Sequence, residues 1–251
     1  MMYQPQKVTF FILTLLLSIF MNWNVHAQTF QFKHYDSYMG LPQNFIYSLE
    51  QGKDGFLWIG TGEGLVRYDG IRFESFTQRD SLADDFIMSL LVARDGKVWI
   101  GHNNGNISVF NNGRFTPIEI PGTNSPIRNM NQDSHGNIWA VIQNSGFVKI
   151  DRYMNITTWF DMGQLDYTLY YSIFPLDNNQ VLLGTSDGLI KLNVTNDGKI
   201  ESIERYFEIP STTITVIKQR KGVTGEFWIG TEDEGFFYFI PGVSKASHII
   251  N

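Results

Sequence analysis

The heptapeptide Asp54-Gly55-Phe56-Leu57-Trp58-Ile59-Gly60 returns as Asp95-Gly96-Lys97-Val98-Trp99-Ile100-Gly101, an offset of 41 residues. The same offset relates Phe32 to Phe73, Tyr35 to Phe76, Leu41 to Leu82 and Phe45-Ile46 to Phe86-Ile87, so one register covers a whole unit. Three weaker copies follow: His135-Gly136-Asn137-Ile138-Trp139, Asn178-Asn179-Gln180-Val181-Leu182-Leu183-Gly184-Thr185 and Gly225-Glu226-Phe227-Trp228-Ile229-Gly230-Thr231. The five units are centred on Trp58, Trp99, Trp139, Leu182 and Trp228, which lie 41, 40, 43 and 46 residues apart. That period is the length of a four-stranded propeller blade, and the units alternate like strands, unlike helical solenoid repeats.

The second unit shows the strand pattern. Strand A is expected over Phe86 to Val92, strand B over Lys97 to Gly101, strand C over Ile107 to Phe110 and strand D over Arg114 to Ile118. The intervening Asp95-Gly96 and Asn112-Gly113 pairs supply the positive φ of hairpin turns. In Asp-Gly-x-x-Trp the Asp is expected to cap the turn, the Gly to bend it and the Trp to wedge between blades, an architectural role. The fold class expected is therefore all-β, a β-propeller of four-stranded antiparallel blades over residues 28–251, with about five blades present.

Composition agrees: 43% hydrophobic against 18% charged residues can bury a core, and 15% aromatics with 23 Gly suit short strands and tight turns. A formal net charge of −6 and the absence of a Lys/Arg run argue against nucleic acid as a partner. With no cysteine, disulfides, thiol nucleophiles and thiolate metal sites are excluded.

Lys7 is followed by the apolar run Val8 to Met21 and then by Val25-His26-Ala27. This pattern predicts a signal peptide over residues 1–27, cut after Ala27, and hence export from the cytoplasm. The run of 14 residues falls short of the roughly 18 to 20 that span a bilayer as a helix. At the other end, Phe32 to Tyr35 aligns with a D strand, while Ala246 to Ile250 reads as the fifth unit's own D strand. Two D strands cannot fill one slot, so either five blades close and the tail is spare, or the array is a truncated piece of a longer propeller; truncation is the expectation, since bare sheet edges invite aggregation.

Leu57-Trp58-Ile59-Gly60-Thr61, continuing to Gly64-Leu65-Val66-Arg67-Tyr68-Asp69-Gly70 and Phe73, resembles the two-component regulator propeller repeat, as does the lead-in Gly40-Leu41-Pro42-Gln43-Asn44-Phe45-Ile46-Tyr47-Ser48-Leu49. The resemblance covers residues 30–240. It implies the periplasmic sensor half of a Bacteroidetes hybrid histidine kinase: paired seven-bladed propellers, an immunoglobulin-like domain, one membrane helix anchoring the parent in the inner membrane, and kinase output. It also implies glycan sensing and homodimerisation of the full-length protein. This chain carries no kinase motif and only a partial sensor, its third unit having Ala140-Val141 for Gly-Thr and its fourth Leu182 for Trp.

No converging catalytic set is found. His34, His102, His135 and His248 occupy different places in their units and form no metal-binding pair, which suits surface or turn positions. No nucleophile elbow or phosphate-cradling loop occurs, and no cofactor or metal is expected. The acidic runs Asp84-Asp85 and Glu232-Asp233-Glu234 are expected to be solvated loops.

In a propeller the D-to-A and B-to-C loops share one face, here called the top, where ligands meet the funnel. Four residues before Ser48, Ser89, Asn129, Ser172 and Val216 stand Asn44, Asp85, Ser125, Thr168 and Thr212, all small and polar. They could ring the funnel with hydrogen-bonding groups, or each could cap the turn into its own strand. Asp166 and Tyr167 add an acceptor beside an aromatic platform suited to a sugar face, and the B-to-C loops contribute Glu63, His102, Asn103, Asn104, Asn144 and Asp187. The function expected is a periplasmic ligand-sensing propeller, its ligand an oligosaccharide. The alternatives are a secreted propeller enzyme, a lyase or glycoside-active protein, and a protein-binding scaffold.

Overall fold

The computed structural model describes residues 32–160, 163–165, 168–177, 179–243 and 246–249, so the expected signal peptide over residues 1–27 lies outside the described residues. The chain divides into a unit over residues 1–34, of which only the last three are described, and a unit over residues 35–251.

The second unit is built from five four-stranded antiparallel sheets, each a meander in chain order. Blade 1 comprises β1 (Ile46–Gln51), β2 (Leu57–Thr61), β3 (Gly64–Tyr68) and β4 (Phe73–Phe76), and blade 2 comprises β5 (Ile87–Val92), β6 (Val98–His102), β7 (Ile107–Asn111) and β8 (Arg114–Ile118). Blade 3 follows with β9 (Ile127–Gln132), β10 (Ile138–Ile142), β11 (Gly146–Ile150) and β12 (Ile156–Trp159). Blade 4 is β13 (Tyr170–Pro175), β14 (Gln180–Thr185), β15 (Gly188–Val194) and β16 (Ile200–Arg205), and blade 5 is β17 (Ile214–Gln219), β18 (Phe227–Thr231), β19 (Phe236–Phe239) and β20 (Ser247–Ile249). The innermost strands β1, β5, β9, β13 and β17 pack each against the next, which fans the blades around one axis.

The repeated heptapeptide does the work assigned to it. In the turn between β5 and β6 the Asp95 carboxylate accepts from the Lys97 amide at 3.1 Å, and Gly96 sits at φ 90°, where a side chain would be strained. Trp58 is fully buried and meets Phe110 of the next blade at 4.9 Å between ring centres. The glycine two residues on has an equally local reason. A Cβ on Gly101 would stand 2.6 Å from Ile127 Cγ2 of blade 3, and one on Gly60 or Gly184 would stand 2.8 Å from Ile87 or Ile214. A bulge near the start of each innermost strand aims these isoleucines backward onto the glycine of the preceding blade. Ser89 Oγ then donates to the Ile127 carbonyl at 2.7 Å, and Ser172 Oγ to the Ile214 carbonyl at 3.3 Å.

This seam is complete between blades and open at both ends of the array. Leu90, Met130, Ile173 and Ile217 are buried against the blade before them, whereas their equivalent Leu49 is 56% exposed. Trp58, Trp99, Trp139 and Leu182 are buried against the blade after them, whereas Trp228 is 39% exposed and the nearby Phe236 54%. Between β1 and β17 the packing is weaker than between the other innermost strands, although the charges of Glu50 in β1 and Lys218 in β17 interact.

One expectation is corrected. Residues 32–35 form no strand, because a D strand needs a C strand to pair with and each sheet of the described residues already holds its own fourth strand. Tyr35 and Leu41 nevertheless keep the packing role of their counterparts Phe76 and Leu82, lying against Ile59, Val66 and Phe73 on the outer face of blade 1. The fifth unit's own D strand is present as β20, paired with β19.

Candidate functional site

The top face is stitched together by one recurring backbone hydrogen bond from a B-to-C turn to the D-to-A loop beside it. Asn103 N donates to Phe86 O, Gln143 N to Pro126 O, Ser186 N to Leu169 O and Glu232 N to Thr213 O, all at 2.9–3.0 Å. These loops therefore form a continuous, pre-organised surface around the innermost strands.

The five small polar residues stand on this surface, and at least two of them serve their own turns. Asn44 Oδ1 accepts the Ser37 amide at 2.9 Å, and Asp85 Oδ1 accepts the Gln78 amide at 2.6 Å, each carboxamide or carboxylate capping the short 3₁₀ turn before its strand. Ser125 is buried, its amide bonded to Thr123 Oγ1 at 3.2 Å, and the Thr168 amide donates to Leu165 O at 3.0 Å. Thr212 Oγ1 donates to Asp233 Oδ1 on the neighbouring turn. No hydrogen bond joins any two of these five side chains among the described residues, so the structure places them on one face without bringing them together. Asp166 and Tyr167 lie outside the described residues. Of the pair following them, Tyr170 is buried with its hydroxyl donating to Leu165 O at 2.8 Å, and Tyr171 is half-buried under the Arg128 guanidinium, 5.4 Å from the ring centre.

Polar groups do converge farther out on the top face, between blades 4 and 5. Asp187, in the turn joining β14 and β15, accepts from Arg205 Nη1 at 3.0 Å and from Ser211 Oγ. The Ser211 hydrogen bond first, and the Arg205 charge after burial is offset, hold this carboxyl below the usual carboxylate range. These residues open one side of a cavity of about 340 Å³, whose other side is Leu189, Tyr206, Phe207, Ile209 and Pro210. Phe207 stands 86% exposed at its rim. The loop bearing Ser211 runs straight into Thr212, so this cavity adjoins one of the predicted positions. Sequence reasoning singled out Asp187 and Thr212 but missed Arg205, Phe207 and Ser211, which no motif marks.

The expectation that the histidines sit on the surface or in turns is corrected at His102. It is fully buried at the end of β6, where Thr61, Thr185 and Thr231 stand in other blades. Its Nε2 lies 2.8 Å from Ser108 Oγ, which also accepts the Ala83 amide of the D-to-A loop at 3.0 Å, while Asn104 Nδ2 donates to the Ala83 carbonyl at 3.0 Å. Burial pushes its pKa down to about 4, against the opposing pull of Asp84 and Asp85. His102 thus fastens the loop that carries Asp85.

A second cavity, of about 310 Å³, lies on the opposite face between blades 3 and 4. Its polar groups are spent on one another: Asp133 accepts from the His135 and Asn137 amides, Asn137 Nδ2 and Trp139 Nε1, and Lys149 donates to Asn196. Among the described residues no group of three or more His, Asp or Glu side chains is arranged to hold a metal ion.

The five sheets define a repeat β-propeller of four-stranded blades. Residues 40–63 and 81–104 match the two-component regulator propeller family, and the chain carries repeats of that family. A stretch of 67 residues is 34% identical to histidine kinase P4 of Formosa agariphila, covering 26% of this chain and 5% of that protein. The extracellular domain of a hybrid two-component system from B. thetaiotaomicron superposes with a TM-score of 0.71 at 18% identity, over 86% of this chain and 31% of that one. The extracellular domain of a one-component system from the same organism gives 0.62 at 23% identity, over 84% and 28%. A streptogramin B lyase gives 0.66 at 17% identity, over 83% and 69%. The chain thus spans about a third of the length of the two signalling domains, and these structural likenesses establish the fold.

Proposed function

We propose that this chain is the ligand-sensing propeller of a two-component signalling protein, exported to the periplasm by residues 1–27, which binds an oligosaccharide with its top face. The observation that carries this reading is the pair of regulator-propeller matches in consecutive units, together with a histidine kinase relative that is 34% identical over 67 residues. Output would come from kinase domains beyond this sequence, in a parent anchored to the inner membrane and acting as a homodimer. The open seams at Leu49 and at Trp228 and Phe236 support the reading that further repeats pack against blades 1 and 5 in that parent.

Calorimetric titration of the chain against oligosaccharides tests the reading directly. Saturable binding without turnover is the expected result. Turnover of a polysaccharide or lactone would establish an enzyme instead, and absence of binding to any saccharide, with capture of a protein partner, would make the propeller a scaffold.

A further inference from the structure

The rim cavity between blades 4 and 5 brings an exposed aromatic ring together with fixed polar groups. Exposed aromatics also stand in the loop before β1, Tyr38 at 97% and Phe45 at 74%, where Asn44 is engaged in capping its own turn. At the rim cavity the ring, Phe207, is held 86% exposed beside a carboxylate that hydrogen bonds from two directions keep fixed and ionised. A single exposed phenylalanine needs no partner, but this ring stands at the mouth of a cavity beside a fixed carboxylate, and that combination of an apolar face with convergent polar groups points to a bound ligand.

The chemistry of the lining narrows what that partner can be. Among the described residues Arg205 is the one cation on the cavity wall and its charge is matched by Asp187, leaving no unpaired positive group among them to attract an anion. One wall is apolar, from Leu189, Ile209 and Pro210, and the other offers the Asp187 carboxylate and the Ser211 hydroxyl. A flat ligand with an apolar C–H face and hydroxyls along its edge fits both walls. At about 340 Å³ the cavity takes one or two sugar rings.

We propose that this cavity is a subsite for a neutral pyranose of an oligosaccharide, with Phe207 stacking on the sugar face and Asp187 accepting from its hydroxyls. Arg205 and Ser211 are positioning residues that hold the carboxylate. The inference rests on the saccharide reading given above and locates its site away from the funnel centre.

The test titrates cellohexaose, mannohexaose, xylohexaose and a hexamer of galacturonic acid into the purified chain and into Phe207→Ala, Asp187→Asn and Lys199→Ala. One of the neutral hexaoses is expected to bind the unsubstituted chain. Phe207→Ala should weaken that binding by about tenfold or more, the loss of one aromatic stacking partner. Its melting temperature should not change, because the ring contributes little burial. Asp187→Asn should weaken binding as well, and Lys199→Ala, in the β15–β16 turn on the opposite face, should leave it unaltered. Binding that survives both Phe207→Ala and Asp187→Asn overturns this site while leaving the sensor reading standing. Preference for the galacturonic acid hexamer overturns the neutral-ligand assignment, and failure of every saccharide to bind overturns both proposals together.

Discussion

His102 offers a titration whose sign and size follow from its surroundings. The ring is fully buried, its pKa is pushed from 6.5 down to about 4, and in the unfolded chain it returns to the ordinary value. Between those two values the unfolded state binds the proton and the folded state does not, so stability is fully present above pH 6.5 and is lost as the pH falls toward 4. A difference of that size corresponds to about 3 kcal/mol across the window, or roughly 6–12 °C in melting temperature for a chain of this length. The perturbation is His102→Thr, which installs the residue found at the equivalent Thr61, Thr185 and Thr231. Thermal melts of both proteins from pH 8 to pH 4 isolate the histidine, because carboxylate contributions are common to both and cancel in the difference. The wild-type chain should lose the additional stability between pH 6.5 and 4 and the variant should not. Parallel pH profiles would refute the reasoning, since they would mean that the imidazole accepts its proton in the folded state as readily as in water.

The seams between blades give a second comparison. Leu90→Ala should cost about 2–5 kcal/mol in denaturant unfolding, as a buried leucine does, whereas Leu49→Ala, at the same position of the first blade but 56% exposed, should cost less than about 1 kcal/mol. Asp85→Ala removes the acceptor of the Gln78 amide and should lower stability by about 1 kcal/mol, read from the shift of the urea midpoint. Equal costs for the two leucines, or an unchanged midpoint for Asp85→Ala, would contradict the packing and capping roles derived for them.

The blades were legible because the first two carry every local signal in agreement and the later three keep enough of them to hold the register. The Asp-Gly turn fixes the hairpin, the tryptophan marks the buried face, and the glycine two residues later makes room for the next blade. The D-strand reading of Phe32 to Tyr35 failed for a nonlocal reason: the residues have strand chemistry, but a strand requires a hydrogen-bonding neighbour that no local pattern supplies. His102 was misjudged because the imidazole takes the place of a turn threonine, and only the packed structure reveals Ser108 and the Ala83 loop closing over it. The rim cavity was half legible. Asp187 and Thr212 could be assigned to the top face from strand order alone, whereas Arg205 and Ser211 meet Asp187 across 18 and 24 residues, through a loop geometry that the sequence does not encode as a motif.

The account depends on a repeated blade-to-blade seam that is left uncovered on the fifth blade. Acrylamide quenching of tryptophan fluorescence measures this most directly, comparing the chain with Trp228→Phe and Trp139→Phe. Because Trp228 is 39% exposed and Trp139 is buried, replacing Trp228 should remove a large accessible component, and replacing Trp139 should leave quenching nearly unaltered. If Trp228 is as shielded from acrylamide as Trp139, the outer face of blade 5 is covered in this chain and the open array described above is wrong.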